Sequence, residues 1–336
     1  MIIRQEAKDV NNTSVRIKSL LENVKAKKLL SLVIEPSSKC NLKCSFCAMH
    51  SGEYDLNERK GIMHNDLYDK LIRDIALLNY KIKIIQFHGC GEPLLNRDIY
   101  SMISKIKKLN IAEKLKIITN GVLLNEKNLQ KLVLSGINTI DISLDVFGKN
   151  NYLDIKGHDF FDKVIKNIYQ AVSTISKISA RGGGVELIVK IMEPRLGLYG
   201  ITESTFKYAY TNLNNLFKDS DSCHLKIMPV FYIHKGKERG FEGSEMPCEQ
   251  PFYTLFVKFD GKVSPCCGDT FGVIEVGNIL KHSLEEIIKS NKLRILRKRL
   301  LDGDLQNKLP ICYYCGARTD IDLSPFRNRL NEIIQE

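Results

Sequence analysis

Between residues 30 and 230 the sequence alternates apolar strand patterns with amphipathic helix patterns, which predicts an α/β fold of parallel strands flanked by helices. Three observations carry this expectation. Six strand–helix units follow one another, polar cysteine- or glycine-bearing stretches come directly after strands, and the rhythm changes near residue 240. Six units are fewer than the eight of a closed barrel, so a curved, partial (β/α)6 TIM-like barrel is expected, with an open doubly wound sheet as the competing layout. In either layout the chemistry belongs at the C-terminal ends of the strands.

The elements follow in order. LLSLVIEP (29–36) is an apolar, β-branched run ended by a proline, a strand that leads straight into a cysteine stretch. NDLYDKLIRDIALL (65–78) places Leu67, Leu71, Ile75 and Leu78 on one helical face. IKIIQFHG (82–89) is the next strand, DIYSMISKIKKLN (98–110) a helix and LKIITNG (115–121) a strand. NEKNLQKLVLSG (125–136) is a helix whose closing glycine suits a C-cap. NTIDISLD (138–145) is a strand, DFFDKVIKNIYQAVSTIS (159–176) a long helix and VELIVKIM (185–192) a strand. TESTFKYAYTNLNNLF (202–217) and HLKIMPVF (224–231) complete the sixth unit.

Beyond a glycine-rich join, GKERGFEGSE (236–245), CEQPFYTLFVKFDGKVSPCC (248–267) reads as a hairpin turning at Asp260-Gly261. SLEEIIKSNKLRILRKRLLDG (283–303) is one or two basic helices, and LPICYYCGA (309–317) brings a cysteine pair. The expected division is an N-terminal extension over 1–28, the partial barrel over 29–235 and a small domain over 240–336.

The chain has 336 residues, 43% of them hydrophobic, enough to bury a sizeable core. Its start has no signal-peptide pattern, and no run of eighteen apolar residues occurs, so a cytoplasmic protein without a membrane span is expected. In that compartment ten cysteines point to metal or redox chemistry more than to disulfides. A net charge of +11 raises nucleic acid as a partner, but the lysines are scattered over most helices without basic-aromatic strips, which disfavours it.

KCNLKCSFC (39–47) holds Cys40, Cys44 and Cys47, separated by three and then two residues. Three thiols do not close a tetrahedral site. Either a distant residue such as Cys90 completes it, or a four-iron cluster keeps one iron open to a ligand. With Phe46 before the last cysteine, this stretch resembles the C-x3-C-x2-C signature of the radical S-adenosylmethionine (SAM) superfamily. HGCGEP (His88 to Pro93) resembles that family's glycine-rich GGEP-type stretch.

The resemblance implies SAM as a cofactor and a [4Fe-4S] cluster on the three cysteines, with Cys90 not a ligand. Gly89, Gly91 and Glu92 would face the methionine amino group, and His88 either SAM or the substrate. Thr119 and Asn120 of TNG, with Ser143 and Asp145 of ISLD, would occupy later SAM-contact positions. Lys190, Glu193 and Arg195 would pair with the SAM carboxylate and adenosine region. One electron from the cluster would cleave SAM, and the 5′-deoxyadenosyl radical would take a hydrogen atom from substrate.

The later cysteines are Cys248, Cys266, Cys267, Cys312 and Cys315; on ligand count alone a zinc site stays possible. The run from PFYTLFVKFDGKVSPCCGD to PICYYC resembles the C-terminal extension of SPASM and twitch enzymes. No cysteine follows Cys315, which fits the shorter twitch form with one auxiliary [4Fe-4S] cluster on Cys248, Cys266, Cys312 and Cys315. Cys267, beside Cys266, would point the other way, and Cys223 reads as a small buried hydrophobe that also has the option of lining the cavity.

A cluster with four protein ligands has no open iron, so it would relay an electron. The resemblance in layout to twitch-type aminocyclitol dehydrogenases implies two-electron oxidation of a secondary alcohol on a sugar or cyclitol. A base is then needed, and Asp269, His224, Tyr232, Glu193 and Glu92 are the candidates. The alternatives are modification of a ribosomally made peptide, disfavoured because only 39 residues precede Cys40, and a sugar epimerase returning hydrogen from Cys223 or Cys267. A flavodoxin or ferredoxin is the expected electron donor.

Overall fold

The computed structural model describes residues 10–50, 60–146, 148–192, 203–218, 220–228, 243–315 and 323–335. The barrel part begins with helix α1 (Val10–Lys25) and continues β1 (Ser31–Ile34), α2 (Asn65–Ala76), β2 (Ile82–Phe87), α3 (Ile99–Leu109), β3 (Ala112–Thr119), α4 (Glu126–Leu134), β4 (Thr139–Ser143), α5 (Lys149–Lys156), α6 (Phe161–Ser179), β5 (Glu186–Met192), α7 (Glu203–Asn215) and β6 (Cys223–Met228). After it come α8 (Gln250–Tyr253), β7 (Thr254–Val257), β8 (Lys262–Ser264), β9 (Gly277–Asn278), α9 (Leu284–Ile288), α10 (Asn291–Asp302), α11 (Leu305–Lys308), α12 (Pro310–Tyr313) and α13 (Arg327–Gln335).

Strands β1 to β6 lie side by side in chain order, all parallel. A doubly wound sheet reverses its strand order at a switch point. An order that never reverses, with right-handed crossovers, sends every helix to the same face and leaves the other concave. The competing layout is thereby excluded, and the fold is a partial TIM-like barrel with a C-terminal cluster-binding region.

Side chains sort accordingly. Leu32, Ile34, Ile85, Phe87, Leu115, Ile117, Ile140, Ile142, Leu187 and Val189 are buried under the helices. The residues between them face the lumen, because paired positions in neighbouring strands share a face. One lumen row runs Val33, Gln86, Lys116, Thr139, Glu186; the next includes Asp141, Ile188 and His224; the third holds Ser143, Lys190 and Lys226.

Besides the terminal helices α1 and α13, two features go beyond the sequence reading. Helix α5 was not expected, since KNNYLDIK has only a weak apolar stripe. The sheet also does not stop at the barrel: β7 pairs parallel with β1, Ser31 opposite Thr254, and the antiparallel β8 and β9 extend it to nine strands among the described residues. The Asp260-Gly261 turn forms as expected, with Gly261 at φ 86°, and the basic stretch makes two helices, α9 and α10. No described helix is long and apolar enough to cross a membrane.

Candidate active site

The three-cysteine loop leaves the end of β1 and is seated by two neighbours. The first is the end of α5. Lys43 N–H donates to the Lys156 carbonyl at 3.0 Å and Ser45 N–H to that of Ile155 at 2.9 Å. Gly157 caps the helix at φ 73°. A Cβ there would lie 2.7 Å from the Lys43 carbonyl oxygen, so only glycine allows this approach.

The second neighbour is the 89–92 loop after β2. Glu92 N–H donates to the Lys39 carbonyl at 2.8 Å. A Cβ on Gly91 would fall 2.4 Å from that same oxygen, and one on Gly89 would fall 2.5 Å from Glu35 Oε1. Both glycines therefore answer a steric demand of the loop packing itself.

Beneath the loop lie three buried ionisable groups. Glu92 is 1% exposed. Its Oε1 accepts from Leu94 N–H at 3.0 Å and Thr119 Oγ1 at 2.7 Å, and its Oε2 from Asn120 N–H at 2.8 Å. Burial raises its pKa, and those donors offset part of the rise. Asn120 Nδ2 then donates to Asn41 Oδ1 at 2.7 Å and lies 3.9 Å from Cys40 Sγ. The carboxylate thus ties the end of β3 to the cysteine loop.

Glu35, just past β1, was not singled out from the sequence. It is 1% exposed and accepts from Cys90 N–H at 2.7 Å and Phe259 N–H at 3.3 Å, linking the 89–92 loop to the hairpin. A carboxylate closing an apolar strand in VIEP was the available signal.

The third group is Lys156, also unforeseen. Its Nζ meets Asp145 Oδ2 at 2.5 Å and the Ser143 carbonyl at 3.0 Å, and sits 5.6 Å from the Phe46 ring centroid. Burial alone would lower its pKa, but the charges of Asp145 and Cys44 hold it above the usual lysine value. Asp145 itself is left-handed at φ 62°, and the N–H groups of Leu144 and Asp145 both donate to the Lys190 carbonyl at 3.0 Å. A non-glycine residue held there costs energy, which the ion pair and these bonds offset.

The thiols carry matching signs. Burial pushes Cys44 up to about 12, and Cys40 and Cys47 are raised as well. All are free cysteines. An exposed thiol, Cys40, and two partly buried ones, Cys44 and Cys47, beside a lysine fit an anionic iron-sulfur cluster, whose iron would take the protons' place. Among the described residues no His, Cys, Asp or Glu group closes around a single metal ion. A cluster spreads its thiolates over several irons and does not require that.

In the second set, Cys248 precedes α8, Cys266 follows β8, and Cys312 and Cys315 flank the end of α12. Cys266 is desolvated and feels the charges of Cys267, Cys248, Cys312 and Cys315, which raise its pKa well above the usual thiol range. The fold therefore gathers residues from three separated stretches. Cys267 is exposed. Cys223 is buried on the helix side of β6, at the strand end away from the cysteine loop.

The remaining expected residues fall as follows. His88 faces the lumen, and burial followed by Lys116 and Lys190 lowers its pKa to about 4. Lys190 Nζ lies 2.7 Å from Asp141 Oδ2. His224 Nε2 lies 3.6 Å from Glu186 Oε1. Asp269 is 2% exposed and accepts from Val273 N–H at 2.8 Å and Ile274 N–H at 2.9 Å. Glu193, Arg195 and Tyr232 lie outside the described residues. Cys90 Sγ donates to the Thr270 carbonyl at 3.3 Å, beside a small open cleft that Glu35, Met49, Lys258 and Phe271 also line.

Comparison with known proteins agrees with this geometry. Residues 34–182 match the model of the radical SAM superfamily, and residues 248–316 that of the iron-sulfur cluster-binding SPASM domain. A tungsten-containing aldehyde ferredoxin oxidoreductase cofactor-modifying protein of Pyrococcus furiosus is 29% identical over 87% of this chain and 88% of its own. A probable GTP 3′,8-cyclase of Methanococcus vannielii is 23% identical over 81% of this chain and 96% of its own. The fold is similar to the crystal structure of BtrN in complex with AdoMet and 2-DOIA, at TM-score 0.57 and 20% identity, covering 85% of this chain and 92% of that one. With a three-cysteine loop seated at the strand ends and a second cysteine set gathered beyond the barrel, the chain belongs to the radical SAM superfamily and carries a C-terminal SPASM-type iron-sulfur cluster-binding domain.

Proposed function

We propose that this radical SAM enzyme is an oxidoreductase that removes two electrons from a secondary alcohol of a sugar- or cyclitol-like substrate. The observation that carries the reading is the second cysteine set. Cys248, Cys266, Cys312 and Cys315 converge on one place in the fold, and four thiolates saturate a [4Fe-4S] cluster, which suits it to accept an electron. Cys40, Cys44 and Cys47 would hold the first [4Fe-4S] cluster with one position left for SAM. When bound, these groups supply hydrogen-atom abstraction and an electron sink.

The chain's own residues do the positioning. Lys156 and the end of α5 fix the cysteine loop, and Glu92 fixes Asn120 against it. Ser143, Asp145, Thr119 and Asn120 stand at the strand ends where SAM would lie, with Gly89 and Gly91 giving backbone closeness. Among the candidate bases, both Asp269 oxygens are occupied by backbone N–H groups, and His224, beside Glu186, lies at the end of β6 away from the cysteine loop; the position of neither marks it as the base. Cys223, in the core, is poorly placed to return a hydrogen atom, so an epimerase would have to use the exposed Cys267. We take 29–235 as the radical-forming barrel, 240–336 as the auxiliary domain, the cytoplasm as its location and a flavodoxin or ferredoxin as its reductant.

The test is anaerobic turnover of reconstituted protein with SAM, dithionite and carbon-deuterated polyols and sugar phosphates. Deuterium in 5′-deoxyadenosine and a product two mass units lighter are expected. A product of unchanged mass carrying solvent deuterium would replace oxidation by epimerisation. Turnover confined to peptides would replace the substrate class.

A further inference from the structure

The lumen behind the strand ends is charged, and Lys190, expected from the family resemblance to reach SAM, is paired there with Asp141. Asp141 on β4 is 0% exposed, and Lys116 from β3 and Lys190 from β5 each bring Nζ to 2.7 Å from its Oδ2. Neither of its oxygens makes a hydrogen bond of good geometry among the described residues, and Oδ1 has no ion-pair contact there either. Lys226 on β6 stands in register beside Lys190, on the same face and exposed, with no ion-pair partner among the described residues. His88, just past β2, completes the group and stays neutral near pH 7.

Three ammonium groups against Asp141 and the half-exposed Glu186 leave a small excess of positive charge in the lumen. Each lysine paired with Asp141 keeps N–H donors to spare. The two paired lysines retain some solvent access, at 16% and 20% exposure, so a ligand in the lumen reaches them. Asp141 Oδ1, by contrast, is a buried acceptor waiting for a donor, and leaving it unmet is costly. The pairing of spare donors with one spare acceptor is chemically selective.

We propose that the lumen holds a subsite in which Lys116, Lys190 and Lys226 take a phosphoryl group of the substrate, while Asp141 Oδ1 accepts from a neighbouring hydroxyl or N–H. Several convergent ammonium groups suit a compact, multiply charged tetrahedral anion better than a planar carboxylate, which favours the fork of arginine. This narrows the substrate to a phosphorylated polyol, sugar or nucleotide, and it rests on reading the lumen as the substrate chamber.

The probe is inorganic pyrophosphate, titrated calorimetrically into the reconstituted full chain. Saturable binding is expected, weakened about tenfold in Lys226→Gln and at least as much in Lys190→Gln. Lys226→Gln breaks no ion pair among the described residues and so keeps the test sound where Lys190→Gln upsets folding. Lys262→Gln, on β8 outside the lumen, should bind as wild type. Absence of binding, equal affinity for malonate, or an equal loss in Lys262→Gln would overturn the subsite. Release of 5′-deoxyadenosine from SAM by wild-type protein in the same preparations tests the functional reading separately.

Discussion

The two cysteine sites are built on opposite plans. The first is a loop held from outside: α5, the 89–92 loop and the end of β3 each bond to it, through a buried lysine and a buried glutamate. In the second, the Cys312–Cys315 pair is held locally, while Cys248 and Cys266 reach it from other stretches. Cys312 N–H bonds to the Leu309 carbonyl and Cys315 N–H to that of Cys312, turns closed within a few residues. An open site must keep its shape with one position unfilled by protein, so its geometry comes from the scaffold. A closed site is shaped by its own ligands. Damage beneath the first site should therefore spread into the barrel, while damage at the second should stay there.

The largest effect should come from Cys44→Ala. It removes the thiol of the first loop whose pKa is pushed highest, to about 12, and 5′-deoxyadenosine formation should fall at least about a thousandfold. Bound iron should drop to about half, because the auxiliary cluster persists. Loss of all iron, measured colorimetrically, would show that the two sites assemble as one.

Next is Lys156→Met, which leaves Asp145 buried without its cation. Removing one partner of a buried pair costs about 3–4 kcal/mol, read as a fall in the urea midpoint of the apoprotein. Replacing both residues, Lys156→Met with Asp145→Leu, should recover most of that loss, since no charge is then stranded. If the double variant is as weak as the single one, the pair acts through the backbone bonds of 143–145 and not through charge.

This contrast also explains what the sequence discloses. Strands and helices repeat with periods of two and 3.6, so β1 to β6 and α2, α3, α4 and α6 are legible within a few residues. The cysteine ligands are legible because spacing is local. Lys156 and Glu35 are not, since their meaning comes from partners 11 and 55 residues away in the chain. The parallel seam of β7 on β1 is hidden for the same reason: Ser31 and Thr254 carry no mark of being neighbours. Glu92 stood out as a motif residue, but only coordinates show that Leu94, Thr119 and Asn120 engage it.

A smaller effect should follow Cys266→Ala at the second site. Half of the iron should again be lost, but SAM cleavage should stay within a few fold while substrate oxidation falls about a hundredfold, or about 2.7 kcal/mol of barrel-to-cluster coupling. Equal loss of both activities would mean that the second site supports the first structurally, and the contrast between scaffold-held and self-held sites would collapse.

Acid should separate the two regions most gently. His88 is the residue just before the 89–92 loop, and its pKa falls to about 4 in the fold from 6.5 outside it. A depressed histidine means that the unfolded chain binds more protons between those values, so stability rises with pH there. Its contribution is complete above about pH 6.5 and is lost as pH falls towards 4. Between pH 7.5 and pH 5 the loss should be about 2 kcal/mol. Hydrogen exchange of the apoprotein locates it: segment 82–95 should lose protection at pH 5, after correction for intrinsic exchange, while 305–315 should not. His88→Gln should abolish that difference. If both segments lose protection together, the barrel and the auxiliary region open as one cooperative unit through the β1–β7 seam, and the independence inferred for the second site fails.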